Sequence, residues 1–162
     1  MPAFNVVHRI TPQVQPNPND CWATALAMAL SMTVRRVKDT AEFNGVVLNP
    51  DGSLPDTNRE SIRLLCRGLQ LRAVPLSRIP AIERLATLMR SRPVVLLGRI
   101  RHRRGIILHA LTLYRLVGEG RADNTEIGLV DPSQPGTHLY MYNDFANRTS
   151  GPVPEPHLLL VR

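Results

Sequence analysis

The chain has 162 residues, 43% hydrophobic and 20% charged, which is ordinary globular composition and not that of a disordered chain. Two cysteines exclude a disulfide-rich scaffold and an all-cysteine zinc site, and no apolar run reaches the ~18–20 residues needed to span a bilayer. The net charge is +7, with Lys38 the single lysine among twenty basic residues, so acidic partners are favoured.

The length predicts one domain over residues 1–162. Pro2, Pro12, Pro16 and Pro18 make the first twenty residues extended and irregular. One helix is expected from Cys21 to about Lys38, apolar on almost every face in its first turns and therefore buried. Its last turn would carry Arg35, Arg36 and Lys38 at the favourable end of the macrodipole. Residues 41–56 read as loop, with turn residues at Asn49-Pro50-Asp51-Gly52. A second helix is expected at about 57–69, opened by Thr57 and Glu60 as a capping box and striped by Ile62, Leu65, Cys66 and Leu69. A third, at about 80–91, carries Ile82, Leu85, Leu88 and Met89. After Pro93 the periodicity becomes strand-like, at Val94–Ile100, Ile106–Leu116, Glu126–Val130, His138–Tyr142 and Leu158–Val161. Helices first and hairpins second give an α+β fold with an antiparallel sheet.

The densest basic stretch holds Arg99, Arg101, Arg103 and Arg104. Only seven residues are aromatic and none interleaves with it, so the stacking platforms of a nucleic-acid binder are missing and nucleic acid is disfavoured.

Cys21 opens the buried helix directly after the turn-forming PNPND. Free N–H groups and the macrodipole at such a position favour a thiolate. Asp20 or Asn19 is the expected N-cap, and an ionised Asp20 would oppose the thiolate. Cys66, on an apolar stripe, reads as an inert core thiol. A thiolate nucleophile needs a base, and His109 sits in the apolar strand ILHALTLY. With a turn centred near residues 120–121, the hairpin places Asp131, or its neighbour Val130, opposite His109. A His–carboxylate bond there would fix the imidazole tautomer, the orienting role in a triad. Asp123 and Asn124 are weaker candidates, held far from the ring by the turn. The backbone N–H of Cys21 can donate to an oxyanion, with Gln15 or Gln13 as the second donor.

Gln15-PNPND-Cys21-Trp22-Ala23 resembles the active-site signature of papain-like cysteine peptidases. His109 in an apolar strand and the strand ending Gly128-Leu129-Val130-Asp131-Pro132 resemble the small bacterial branch, which includes bacteriocin-processing peptidase domains and secreted effector peptidases of plant pathogens. The resemblance implies a papain-like fold, with a buried catalytic helix and two further helices packed on an antiparallel sheet. It implies Cys21 as nucleophile, His109 as general base and acid, Asp131 as orienter where papain uses asparagine, and Gln15 as oxyanion donor, with no cofactor and no metal. Trp22 would pack beneath the site. The run Pro18-Asn19-Asp20 departs from the glycine-bearing run of plant members, and the short chain implies a reduced second lobe.

The activity expected is hydrolysis of peptide bonds in a protein or peptide substrate, with a preference for glycine-rich sites implied by the branch. A deamidase, transglutaminase or amidase using the same thioester is the alternative, and a non-catalytic basic binding module the third reading. The N-terminus lacks a basic region followed by a long apolar one, so no signal peptide is expected. The resemblance then implies a bacterial effector or toxin domain, found in the bacterial cytoplasm or delivered into a target cell by a specialised secretion system. An acidic inhibitor or immunity protein would suit the +7 charge.

Overall fold

The computed structural model describes residues 3–55, 59–102, 105–147 and 155–162. In chain order the elements are β1 (Phe4–Val7), α1 (Cys21–Leu30), α2 (Val34–Phe43), α3 (Arg59–Leu69), β2 (Arg72–Pro75) and α4 (Ile82–Leu88). They are followed by β3 (Val94–His102), β4 (Gly105–Gly118), β5 (Thr125–Val130), β6 (His138–Met141), α5 (Tyr142–Ala146) and β7 (Glu155–Val161). The expected α+β class with an antiparallel sheet is the one observed, with five helices among the described residues where three were expected. Two short strands, β1 and β2, and the one-turn helix α5 were also not foreseen. Thr57 of the expected capping box lies outside the described residues, as do Arg103 and Arg104 of the basic stretch, while Arg99 and Arg101 fall on β3.

The helix expected over 21–38 is two helices. Ser31 takes a left-handed backbone conformation (φ 54°, ψ 45°) and its N–H returns to the Ala27 carbonyl. Thr33 then starts α2, its hydroxyl accepting from the Arg36 N–H at 3.2 Å. Serine and threonine offer the backbone these local alternatives to a continuous helix. Arg35, Arg36 and Lys38 therefore belong to the early turns of α2, which runs on through residues expected as loop to Phe43. They do not sit at the favourable end of the α1 macrodipole.

The sheet runs β2-β7-β3-β4-β5-β6, with β1 added beside β4, and every pairing is antiparallel. The central run Val94-Val95-Leu96-Leu97 is buried throughout because both faces of the sheet are covered. Val95 and Leu97 pack with Trp22 and Leu26 of α1 and Leu65 of α3. Val94 and Leu96 pack with Leu85 of α4 and Phe145 of α5. The expected stripe of Ile62, Leu65, Cys66 and Leu69 is buried as a set.

Two features of this frame position the site. Helix α1 is buried from Cys21 to Ala29, so its N-terminus is fixed by packing along its whole length and not by its own propensity. Strand β4 is longer than its partner: among the described residues β5 pairs with it only from Thr112 to Gly118. The chain after β5 is thereby free to turn back over the earlier part of β4, where His109 lies.

Candidate active site

Cys21 is the first residue of α1 and is 7% exposed. The first intrahelical bond runs from the Thr24 N–H to the Asp20 carbonyl at 2.8 Å, so the amides of Cys21, Trp22 and Ala23 precede the helical ladder and are free to face a ligand. The Cys21 thiol donates to the Leu108 carbonyl at 3.7 Å. Trp22, 1% exposed, packs beneath it in the core.

His109 and Asp131 meet through a bond of 2.9 Å between Nε2 and Oδ1, with both side chains buried. The turn is centred near residue 121, as expected, but the partner expected opposite His109 is not found there. Val130 pairs with Thr112 and Leu129 with Leu113, and a bulge interrupts the ladder before Arg115. Neither Val130 nor Asp131 is therefore opposite His109. Asp131 comes just after the last residue of β5 and reaches back diagonally along β4, a separation that cross-strand neighbours can bridge with side chains.

Asp131 Oδ1 also accepts from the Ser133 N–H at 2.8 Å and the Ser133 hydroxyl at 2.7 Å. Burial alone would raise its pKa, but the His109 contact and the two Ser133 bonds outweigh this and hold it below the usual carboxylate value. An ionised carboxylate only accepts, so Nε2 of His109 is the donor and carries the proton. Nδ1 is left as the other functional atom of the ring. Burial acts to lower the His109 pKa. Hydrogen bonding to Asp131 and to Cys21, with their charges, overcomes it and takes the imidazole up to about 9. Imidazole and carboxylate are thus joined, and the Cys21 thiol lines the same cleft as the ring.

Asp20 occupies the N-cap position of α1, yet its side chain makes no capping bond. Its carboxylate, 1% exposed as a residue, binds Lys38 Nζ at 2.7 Å and Asn17 Nδ2 at 2.9 Å. The opposition to a thiolate expected from Asp20 is therefore countered by the only lysine. Substituting Lys38→Met strands a buried carboxylate, and the expected cost is about 2–3 kcal/mol of unfolding free energy in urea titrations. The double variant with Asp20→Asn is expected to recover most of it. A single variant as stable as the wild type would show that the pair contributes nothing.

Gln15 is half-buried. Its backbone N–H donates to the Pro132 carbonyl at 2.8 Å, which ties the approach to α1 to the loop holding Asp131. Its Nε2 donates to the Pro18 carbonyl at 2.9 Å. Pro18 lines the cleft described below, so the Gln15 amide stands one residue behind the cleft wall. Gln13 is placed elsewhere: its backbone N–H meets the Met28 sulfur at 3.2 Å.

No protein-family model matches the sequence, and no curated protein matches it either. Comparison with solved structures does find similarity, including to a crystal structure from Bacillus anthracis described provisionally as a C39-like peptidase. The match covers 98% of each chain with a TM-score of 0.54 and 14% sequence identity. The fold is papain-like. At that identity the likeness speaks for the architecture, and the side chains must speak for the chemistry.

Cys21 and His109 open on a cleft of about 290 Å³ lined also by Pro18, Asn19, Trp22, Asp51, Ser53, Leu54 and Leu108. A larger cavity of about 710 Å³ lies between α3 and the β2–β7 edge, with Cys66 in its wall and none of the triad candidates. Cys66 and His157 both line it, but the Cys66 thiol is held neutral by its burial. Burial pushes the Cys66 thiol up to about 11. Among the described residues no three His, Cys, Asp or Glu side chains gather as a metal site requires, and no helix is long and apolar enough to cross a membrane.

Sequence reasoning missed three contributors. Lys38 was placed at the wrong helix end. Ser133 was overlooked, although Asp-x-Ser is a turn signature in which the carboxylate binds its own chain two residues on. The Asn49–Leu54 loop carried turn signals, but nothing local showed that it walls the cleft.

Proposed function

We propose that the protein is a cysteine peptidase that hydrolyses peptide bonds in a protein or peptide substrate. The observation that carries this reading is the ring of His109, fixed by Asp131 through Nε2 at 2.9 Å and lining the same cleft as the thiol at the N-terminus of α1. Nucleophile, base and orienter in hydrogen-bonded sequence are the signature of nucleophilic acyl transfer.

In the proposed cycle, Cys21 gives its proton to His109 Nδ1 and its sulfur attacks the scissile carbonyl carbon. The resulting oxyanion is bound by the Cys21 N–H and by the Gln15 amide, which turns from the Pro18 carbonyl to meet it. The C–N bond then breaks as the imidazolium passes its proton to the leaving amine, leaving a thioester on Cys21. Water, deprotonated by His109, attacks the thioester, and sulfur departs to be reprotonated. Asp131 holds the ring and stabilises its charge at each step without itself taking the proton.

Gln15→Ala is expected to lower kcat by about 100-fold with little change in KM, because its amide meets charge that develops only in the transition state. An equal change in kcat and KM, or none, would remove Gln15 from the role. The reaction class is read by mass spectrometry of a treated protein substrate. Paired fragments whose masses sum to substrate plus water support the peptidase. A one-dalton gain on an unbroken chain would assign the same residues to deamidation.

A further inference from the structure

The lining of the cleft that holds Cys21 and His109 includes a carboxylate that the proposed chemistry does not use. Asp51 and Ser53 line the same 290 Å³ space as Cys21 and His109. The Asp51 side chain is held in place. Its Oδ1 accepts from the Ser53 N–H at 2.9 Å and from the Ser53 hydroxyl at 2.6 Å. These bonds, more than anything else, keep its pKa below the usual value, so it is charged at neutral pH.

The loop around it is equally constrained. The Asn49 N–H donates to the Ser53 carbonyl at 3.0 Å and the Gly52 N–H to the Asn49 carbonyl at 2.8 Å. The Gly52 carbonyl accepts from the indole N–H of Trp22 at 3.4 Å, which anchors the loop to the residue next to the nucleophile. Gly52 itself has φ +80°, where a side chain is strained, and an added Cβ would lie 3.2 Å from Lys38 Nζ. The loop is therefore a fixed wall.

The charge on that wall is not neutralised from within. The chain carries 20 Lys and Arg against 13 Asp and Glu, and Asp20, Asp39, Glu60, Asp123 and Glu126 each hold a Lys or Arg. Among the described residues no Lys or Arg pairs with Asp51. Lys38, the nearby cation, is committed to Asp20 at 2.7 Å. Asp51 is exposed where it lines the cleft, and a fixed carboxylate there on a strongly basic molecule attracts a cation from outside.

We infer that Asp51 forms a substrate subsite for a cationic side chain, lysine or arginine, beside the scissile bond. The inference rests on the peptidase reading and narrows its substrate class: basic peptides are taken in preference to neutral ones, and acidic ones are repelled. The carboxylate binds the incoming ammonium or guanidinium without touching the reacting atoms, so Asp51 sets specificity and is not catalytic.

The test uses the full chain with a set of peptides differing only at the positions flanking the cleaved bond, which carry Lys, Arg, norleucine or Glu. The wild type is expected to show kcat/KM for the Lys or Arg peptide about 5- to 10-fold above norleucine, with the ratio falling toward one at high salt. Asp51→Asn keeps an oxygen to accept from Ser53 and removes the charge, so its Lys-to-norleucine ratio is expected to be about one. Asp51→Arg is expected to turn the preference toward Glu. Lys and Arg arms responding alike identify charge as what is read, and a preference for one alone identifies head-group shape in the same subsite. A wild-type ratio near one, or a preference that survives Asp51→Asn or high salt, overturns the inference and leaves the peptidase reading intact. If the wild type cleaves none of the peptides and Cys21 is also unreactive toward iodoacetamide, the peptidase reading fails and the subsite with it.

Discussion

Cys21→Ala is expected to lower peptide hydrolysis by about 10⁴-fold or more while leaving the fold in place. Every covalent step of the proposed cycle passes through that sulfur, so what survives is only the acceleration that binding and oxyanion stabilisation can give. Alanine is isosteric with all but the sulfur and is a strong helix former, and α1 is already held by burial along its length. A loss of activity caused by unfolding would appear in thermal denaturation and is not expected.

The paired measurement is thiol labelling of the wild type at neutral pH. Exposure does not separate the two cysteines, at 7% for Cys21 and 8% for Cys66. Their surroundings do: burial pushes the Cys66 thiol up to about 11 and keeps it neutral at pH 7, whereas Cys21 lines a cleft beside the His109 ring. Iodoacetamide is expected to modify Cys21 at least tenfold faster than Cys66, and His109→Ala is expected to slow Cys21 alone. Equal rates at the two thiols would sink the nucleophile assignment.

How much of this was legible before the fold depends on the reach of the signal. Cys21 was legible because turn chemistry and helix patterning act over a few residues: PNPND must turn, and ATALAMAL must be buried. His109 with Asp131 was legible as a pair because hairpin length limits which residues can meet, but the pairing geometry was not. The bulge before Arg115 and the end of β5 at Val130 are decided by packing on both faces of the sheet. The break at Ser31 was hidden because a Ser-Met-Thr run is compatible with a helix, and the αL turn there is selected by tertiary contacts. Once the break is known, Lys38 can return to Asp20, and the charge beside Cys21 is offset. Edge strand β2, with the sequence RAVP, is too short to announce itself and carries a proline tolerated only because it sits at an edge. The papain-like architecture was legible by resemblance, while the wall made by Asn49–Leu54 was not, because a loop's sequence records its turn and not what it faces.

Asp131 gives the other large effect, and here charge and orientation can be separated. Asp131→Ala removes both the acceptor for Nε2 and the negative charge, so hydrolysis is expected to fall about 10³-fold across the pH range. Asp131→Asn is different. Ser133 directs both its N–H and its hydroxyl at Oδ1, which forces the amide to keep oxygen at that position. His109 Nε2–H therefore keeps its acceptor and the ring keeps its tautomer, and only the charge is lost. The wild-type imidazole, at about 9 against an ordinary 6.5, is about nine-tenths protonated at pH 8. Without the carboxylate's charge, the lowering by burial is less strongly opposed and the value falls. The alkaline limb of kcat/KM, or of Cys21 alkylation, is thus expected near pH 9 in the wild type and at lower pH in Asp131→Asn. The loss is expected to be larger at pH 8 than at pH 6.

Stability should follow the same ionisation. A His pKa raised on folding contributes stability that is complete below about 6.5 and is lost as pH rises through about 9. The lowered carboxyl of Asp131 contributes above its unfolded value of 3.8 and is lost as pH falls below it. The wild type is therefore expected to exceed Asp131→Asn in unfolding free energy mostly between about pH 4 and 6.5, with the gap closing toward pH 9–10. If the alkaline limb stays put in Asp131→Asn, the carboxylate is not what raises His109, and thiol, imidazole and carboxylate do not act as one unit.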